Sequence, residues 1–127
     1  MKAAKNGKQI EIYADGAGAN PDGKGSGFAW VNTTTQEKKI ESIPNLTNNV
    51  AEYRAVISAL KSLRKGSVAN IFTDSTLVVG QLRGEYRIRD SKLEKLAIEV
   101  KTIVDQKGLT VTFTWVRRQD NLAGKLL

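Results

Sequence analysis

The stretch Ile10-Glu-Ile-Tyr-Ala-Asp-Gly16 decides how the rest of the chain is read. Ile10, Ile12 and Ala14 fall on one side and Glu11, Tyr13 and Asp15 on the other, the two-residue period of a half-buried β-strand. The strand runs out on an aspartate, then on a loop of small residues, Gly16 to Gly27. A carboxylate at the carboxyl end of a strand, beside backbone that a ligand can approach closely, is a candidate reaction centre.

The segments that follow bring further carboxylates toward it. Gly27–Asn32 is apolar enough for a second strand, and the turn over 33–39 leads into a third, Glu37 to Ile43. The Gly-rich loop is too short to hold a crossover helix, so these strands form an antiparallel meander. It lacks the GxGxxG-then-helix context of a dinucleotide site and the Lys-Ser/Thr ending of a P-loop. Pro44 to Asn49 breaks the third strand. Tyr53, Val56, Ile57, Leu60 and Leu63 then recur at helical spacing; Thr47, Asn48 or Asn49 caps this helix and Lys65-Gly66 ends it. Glu52 falls in its first turn.

Val68 to Asp74 is a fourth strand, again ending on an aspartate. Strand–helix–strand order implies a right-handed crossover, which sets this strand parallel to the first and brings Asp15 and Asp74 to the same sheet edge. Ser75 to Leu82 reads as a short helix stopped at Gly84, and Glu85 to Arg89 as a basic link. Asp90-Ser91 caps the strongest helix of the chain, whose apolar face is Leu93, Leu96, Ala97, Val100, Ile103 and Val104, with Gly108 just past its end. Leu109 to Val116 alternates as a last strand. Arg117 to Asp120 is a loop, and Asn121 caps a terminal helix starting at Leu122.

A length of 127 residues suits one domain with a real core, expected over 8–127 behind a flexible basic leader at 1–7. No apolar run approaches the roughly 20 residues of a membrane span. Cysteine and histidine are both absent. That excludes disulfide frameworks, thiolate chemistry, histidine-ligated zinc and imidazole general bases, and leaves carboxylates, hydroxyls, lysines or a hard metal ion. The expected location is cytoplasmic. A net charge of +7 and a pI near 9.8 suggest a polyanionic partner.

The order β-β-β-α-β-α-α-β-α with acids at Asp15, Glu52 and Asp74 resembles the ribonuclease H fold. Tyr13-Ala-Asp-Gly16 with Asn20-Pro21, Thr47-Asn-Asn-Val-Ala-Glu-Tyr53, Phe72-Thr-Asp-Ser75 and Trp115-Val-Arg-Arg118 sharpen the likeness to type 1. The resemblance implies an α/β fold: a mixed five-stranded sheet, three strands antiparallel and then two parallel, with helices on both faces. It implies an endonuclease that hydrolyses the RNA strand of RNA/DNA hybrids with two Mg²⁺ or Mn²⁺ ions. The alternative is a catalytically weakened module of the same fold that binds hybrid or RNA. By resemblance Asp15, Glu52 and Asp74 are catalytic metal ligands, with the Gly16 carbonyl beside them. Asn20, Asn48 and Asn49 would bond the hybrid's minor groove, where RNA shows its 2′-hydroxyls. Thr47 and Tyr86 would hold the DNA strand, and Gln81 and Arg118 would add contacts. No protein partner and no membrane are implied, and a monomer is expected.

The chain departs from the family pattern in four places. The fourth acid of the family, in an Ala-Asp-x-Leu-Ala pattern, aligns with Asn121 in Asp120-Asn-Leu-Ala-Gly124. Either Asn121 or its neighbour Asp120 fills that position; Asn121 is favoured, as catalytic residue and metal ligand through its carbonyl oxygen. On that alignment Asn121→Asp maintains or raises activity. The histidine many members carry before the last helix is missing, the basic helix-plus-loop handle of some members is absent, and the Gly-rich loop differs in length.

Overall fold

The computed structural model describes residues 9–127; the leader expected at 1–7 lies outside them. Five strands form one sheet: β1 (Ile10–Ala17), β2 (Gly27–Asn32), β3 (Lys38–Ser42), β4 (Val68–Thr73) and β5 (Thr110–Trp115). Their order across the sheet is β3-β2-β1-β4-β5. The first three pair antiparallel, with Asp15 opposite Ala29. β4 runs parallel to β1, and β5 parallel to β4. The helices are α1 (Asn48–Lys61), α2 (Thr76–Leu82) and α3 (Ser91–Lys107).

The alternation in β1 does what its period requires. Ile12 and Ala14 are buried and look toward the helices, packing in one core with Trp30, Tyr53, Leu60, Ile71 and Val100. α1 lies on β1 and β2 and against α3. On the other side of the sheet Tyr13 stacks on Phe72, ring centroids 4.8 Å apart, and the end of the chain closes over β1 and β2. All three α-helices therefore share one face, and the opposite face carries a 3₁₀ turn, Leu122–Leu126, where a terminal α-helix was expected; the loop expected before it holds a second 3₁₀ turn, Arg118–Asp120.

Helix ends follow local chemistry. Thr47 caps α1 by accepting from the Val50 N–H, and Asp90 caps α3 by accepting from Lys92 and Leu93. Gly108, at φ 62°, closes α3 in the left-handed region that glycine enters without steric cost. α1 stops at Lys61, short of the expected Lys65-Gly66. Its last carbonyls are taken by the Lys107 ammonium, which bonds the Lys61 and Leu63 oxygens at 2.6 and 2.7 Å, a favourable place for a cation at a helix C-terminus. Among the described residues no helix is long and apolar enough to cross a membrane.

Candidate active site

The parallel pairing of β1 and β4 delivers both strand-end aspartates to one edge. Asp15 sits near the end of β1, and Asp74 is the first residue past β4. Glu52 comes from α1, just past the first turn in which it was expected, and the first turn itself carries no acid. Each of the three offers a carboxylate oxygen, and these oxygens lie within 4.8 Å of one another.

Gly16 makes this convergence possible. A Cβ at that position would run into the backbone of Ala51 and Glu52, so only glycine lets α1 come this close to β1. Its N–H donates to Glu52 Oε1 at 2.8 Å and to Asp15 Oδ1 at 3.0 Å. On the far side, the Trp115 indole N–H donates to the Asp74 carbonyl at 3.1 Å. The Arg118 guanidinium is exposed, yet its Nε lies 3.9 Å from Asp74 Oδ2, a carboxylate only 7 % exposed.

Three acids this close in a half-buried place resist ionising together. Burial, then the charge of Asp74, raises the Asp15 carboxyl. Its hydrogen bonds with Glu52 and Gly16 and the nearby Arg118 pull the other way. Glu52 is pushed up to about 9, first by burial and then by the charges of Asp15 and Asp74. A divalent cation would relieve this crowding. Hard carboxylate oxygens grouped within reach of a single ion are a donor set that suits Mg²⁺ or Mn²⁺, so the residues present fit such an ion. Asp15 and Glu52 line a cavity of about 530 Å³ whose rim includes Asn48, Arg118 and Lys125.

The remaining candidates divide. Asn48 lies on the cavity rim and its Oδ1 accepts from the Gly18 N–H at 2.6 Å, pinning the Gly-rich loop. Thr47 and Asn49 line a neighbouring cleft between the starts of α1 and α3. Asn20 is exposed in a loop closed by its own backbone bonds with Gly23 and Lys24. Tyr86 is half exposed and rests on Gly80, where a Cβ would meet its ring. Gln81 is largely buried, and its Oε1 accepts from the Tyr53 hydroxyl at 2.7 Å.

Asn121 is also buried, with its carboxamide bonded to Ala14 and Ala123. Asp120 lies on the outside, its Oδ2 accepting from Arg117 Nε at 2.8 Å. The sequence reading missed Gly124, where a Cβ would stand 3.1 Å from Asp15 Oδ2. The signal for it was a pair of small residues, Ala123-Gly124, inside an otherwise bulky segment.

With this geometry in place, likeness to known proteins becomes informative. The family model described as RNase H matches residues 7–123. The chain belongs to the RNase H family. A curated relative, the bifunctional protein Rv2228c of Mycobacterium tuberculosis, is 32 % identical over 119 residues, covering 89 % of this chain and 32 % of its own length. Ribonuclease H of Cupriavidus necator is 38 % identical over 72 residues, covering 56 % of this chain and 50 % of its own length. The chain thus spans a third to a half of the curated relatives it matches. Among solved structures, the N-terminal RNase H domain of Rv2228c superposes with a TM-score of 0.78 at 27 % identity, covering 94 % of this chain and 95 % of that one. LC11-RNase H1 in complex with RNA/DNA hybrid also gives 0.78 at 27 % identity, covering 94 % and 93 %.

Proposed function

We propose that the protein is a metal-dependent endonuclease that cuts the RNA strand of RNA/DNA hybrids, acting as a cytoplasmic monomer. The observation that carries this reading is the meeting of Asp15, Glu52 and Asp74 at one sheet edge in a chain of net charge +7. An RNase H1 relative bound to a hybrid supports the choice of substrate.

In this reading the three carboxylates, with the Gly16 carbonyl, hold two Mg²⁺ or Mn²⁺ ions. Such ions, when bound, polarise the scissile phosphate and lower the pKa of an attacking water. The chain's own residues do the rest. The Gly16 N–H fixes Glu52 by donating to its carboxylate and to that of Asp15. Arg118 stands over Asp74, where its charge favours the approach of phosphate but cannot shuttle a proton at neutral pH. Asn48, Asn49 and Asn20 present amides to the minor groove, while Thr47 and Tyr86 flank the DNA strand. Contacts of this kind read groove shape and 2′-hydroxyls, so cutting is sequence-nonspecific and falls with rising salt.

A second reading has one specific observation in its favour. The fourth position carries a buried amide, Asn121, in place of an acid, which suits a module that binds hybrid or RNA but cuts it weakly. One assay decides. Labelled RNA/DNA hybrid, double-stranded RNA and double-stranded DNA are incubated with the protein in Mg²⁺, Mn²⁺ or EDTA. Metal-dependent cutting of hybrid alone, lost in Asp15→Asn, is the expected result. Binding without cutting selects the second reading, and cutting of DNA refutes both.

A further inference from the structure

We propose that Asn121 is a positioning residue for Asp15 and not a metal ligand, and that the terminal turn it starts forms the wall against which the Asp15 carboxylate is set. This rests on the nuclease reading above. Asn121 is 1 % exposed, and both ends of its amide are committed. Nδ2 donates to the Ala14 carbonyl at 3.0 Å, and Oδ1 accepts from the Ala123 N–H at 3.1 Å. Ala14 is the residue immediately before Asp15, so the first bond fixes the peptide that carries the catalytic side chain. The second starts the turn that lays buried Ala123 and then Gly124 alongside it.

The chemistry asks for an amide here. A carboxylate accepts but does not donate. Placed at 121 it would keep the cap on Ala123 while turning an oxygen toward the Ala14 oxygen, with no proton between them. Asparagine supplies a donor on one side and an acceptor on the other, which is what the two backbone groups require. Gly124 completes the device. An added methyl group there would come within 3.1 Å of Asp15 Oδ2, tighter than ordinary contact, so the carboxylate would have to shift. Asn121 and Gly124 thus set the placement of one acid of the triad from a segment that contributes no ligand.

The test compares Asn121→Asp, Asn121→Ala and Gly124→Ala with the parent chain. It measures kcat and KM on hybrid, Mn²⁺ binding by calorimetry in the absence of nucleic acid, and Tm. Displacement of a reacting group by a fraction of an ångström to 1 Å costs up to about 10²-fold in rate. Asn121→Asp is therefore expected to lose roughly tenfold or more in kcat, with Mn²⁺ binding no tighter than the parent's. Gly124→Ala is expected to lose kcat with KM for hybrid unchanged and Tm nearly so, a split that a purely structural residue would not give. Tighter Mn²⁺ binding with kcat kept or raised in Asn121→Asp would make Asn121 a ligand and overturn the proposal, as would parental kcat in Gly124→Ala. If the parent cuts no hybrid, the nuclease reading fails by itself. Calorimetry still decides the role of Asn121, since weaker Mn²⁺ binding in Gly124→Ala and no gain in Asn121→Asp support the positioning role.

Discussion

Two segments flank Asp15, and they are built on opposite principles. The start of α1, Thr47 to Glu52, is regular: a hydroxyl caps the first turn, and helical spacing carries Glu52 in above Gly16. The terminal segment, Asn121 to Gly124, is irregular: its shape comes from one buried amide bonded to a strand 107 residues earlier. The first segment brings charge to the site, whereas the second brings only shape. An active site of this kind divides its labour between an element that folds by local rules and one that folds only once the sheet exists.

The largest effect should come from removing charge on the shared target of both segments. Asp15→Asn or Asp74→Asn should cut hybrid hydrolysis by on the order of 10³-fold, because on the proposed reading several kcal/mol of transition-state stabilisation depend on the ions these acids would hold; circular dichroism should show an intact fold. Next comes the fit of α1 against β1. Gly16→Ala forces a methyl group into the backbone of Ala51 and Glu52, and such overpacking costs about 1–3 kcal/mol. Thermal unfolding should show a Tm lower by roughly 5–10 °C, and activity should fall as well because the triad is spread.

A smaller effect tests the crowding of charge delivered by α1. The Glu52 carboxyl titrates higher in the folded protein than in the unfolded chain, so the metal-free native state holds the extra proton. Its stabilising contribution is full below the usual carboxylate range and is lost as pH rises through about 9. Metal-free protein should therefore show a Tm that declines from pH 5 toward pH 9, flattened by Mg²⁺ or by Glu52→Gln. A Tm that rises over that range in the parent alone would contradict the crowding. The smallest effect is on the cap: Thr47→Ala should cost about 1 kcal/mol, seen in denaturant unfolding with kcat little changed.

The same division explains what could be read from the residues. β1, α1, β4 and α3 announce themselves through period and caps, and Asp15, Glu52 and Asp74 through their places at the ends or near the start of those elements. The bond that holds Gln81 inward was not legible because a polar residue in Val-Val-Gly-Gln-Leu fits either face of a short helix. Its partner Tyr53 stands 28 residues earlier, and no local pattern links them. The α1 terminus was misplaced because Lys107, on another helix, takes its carbonyls. The terminal helix became a 3₁₀ turn because Asn121 answers to Ala14 rather than to its own neighbours alone. Each miss lies where a distant tertiary bond outranks local propensity.

The indole of Trp115, hung on the carbonyl of Asp74 and 46 % open to water, gives the molecule an optical gauge of its own. The other tryptophan, Trp30, is 5 % exposed and tied to Ser58, so its emission lies further to the blue. Trp30→Phe would leave a single tryptophan, bonded to one member of the acidic triad. Divalent ions and hybrid could then be titrated by light, without label and without turnover.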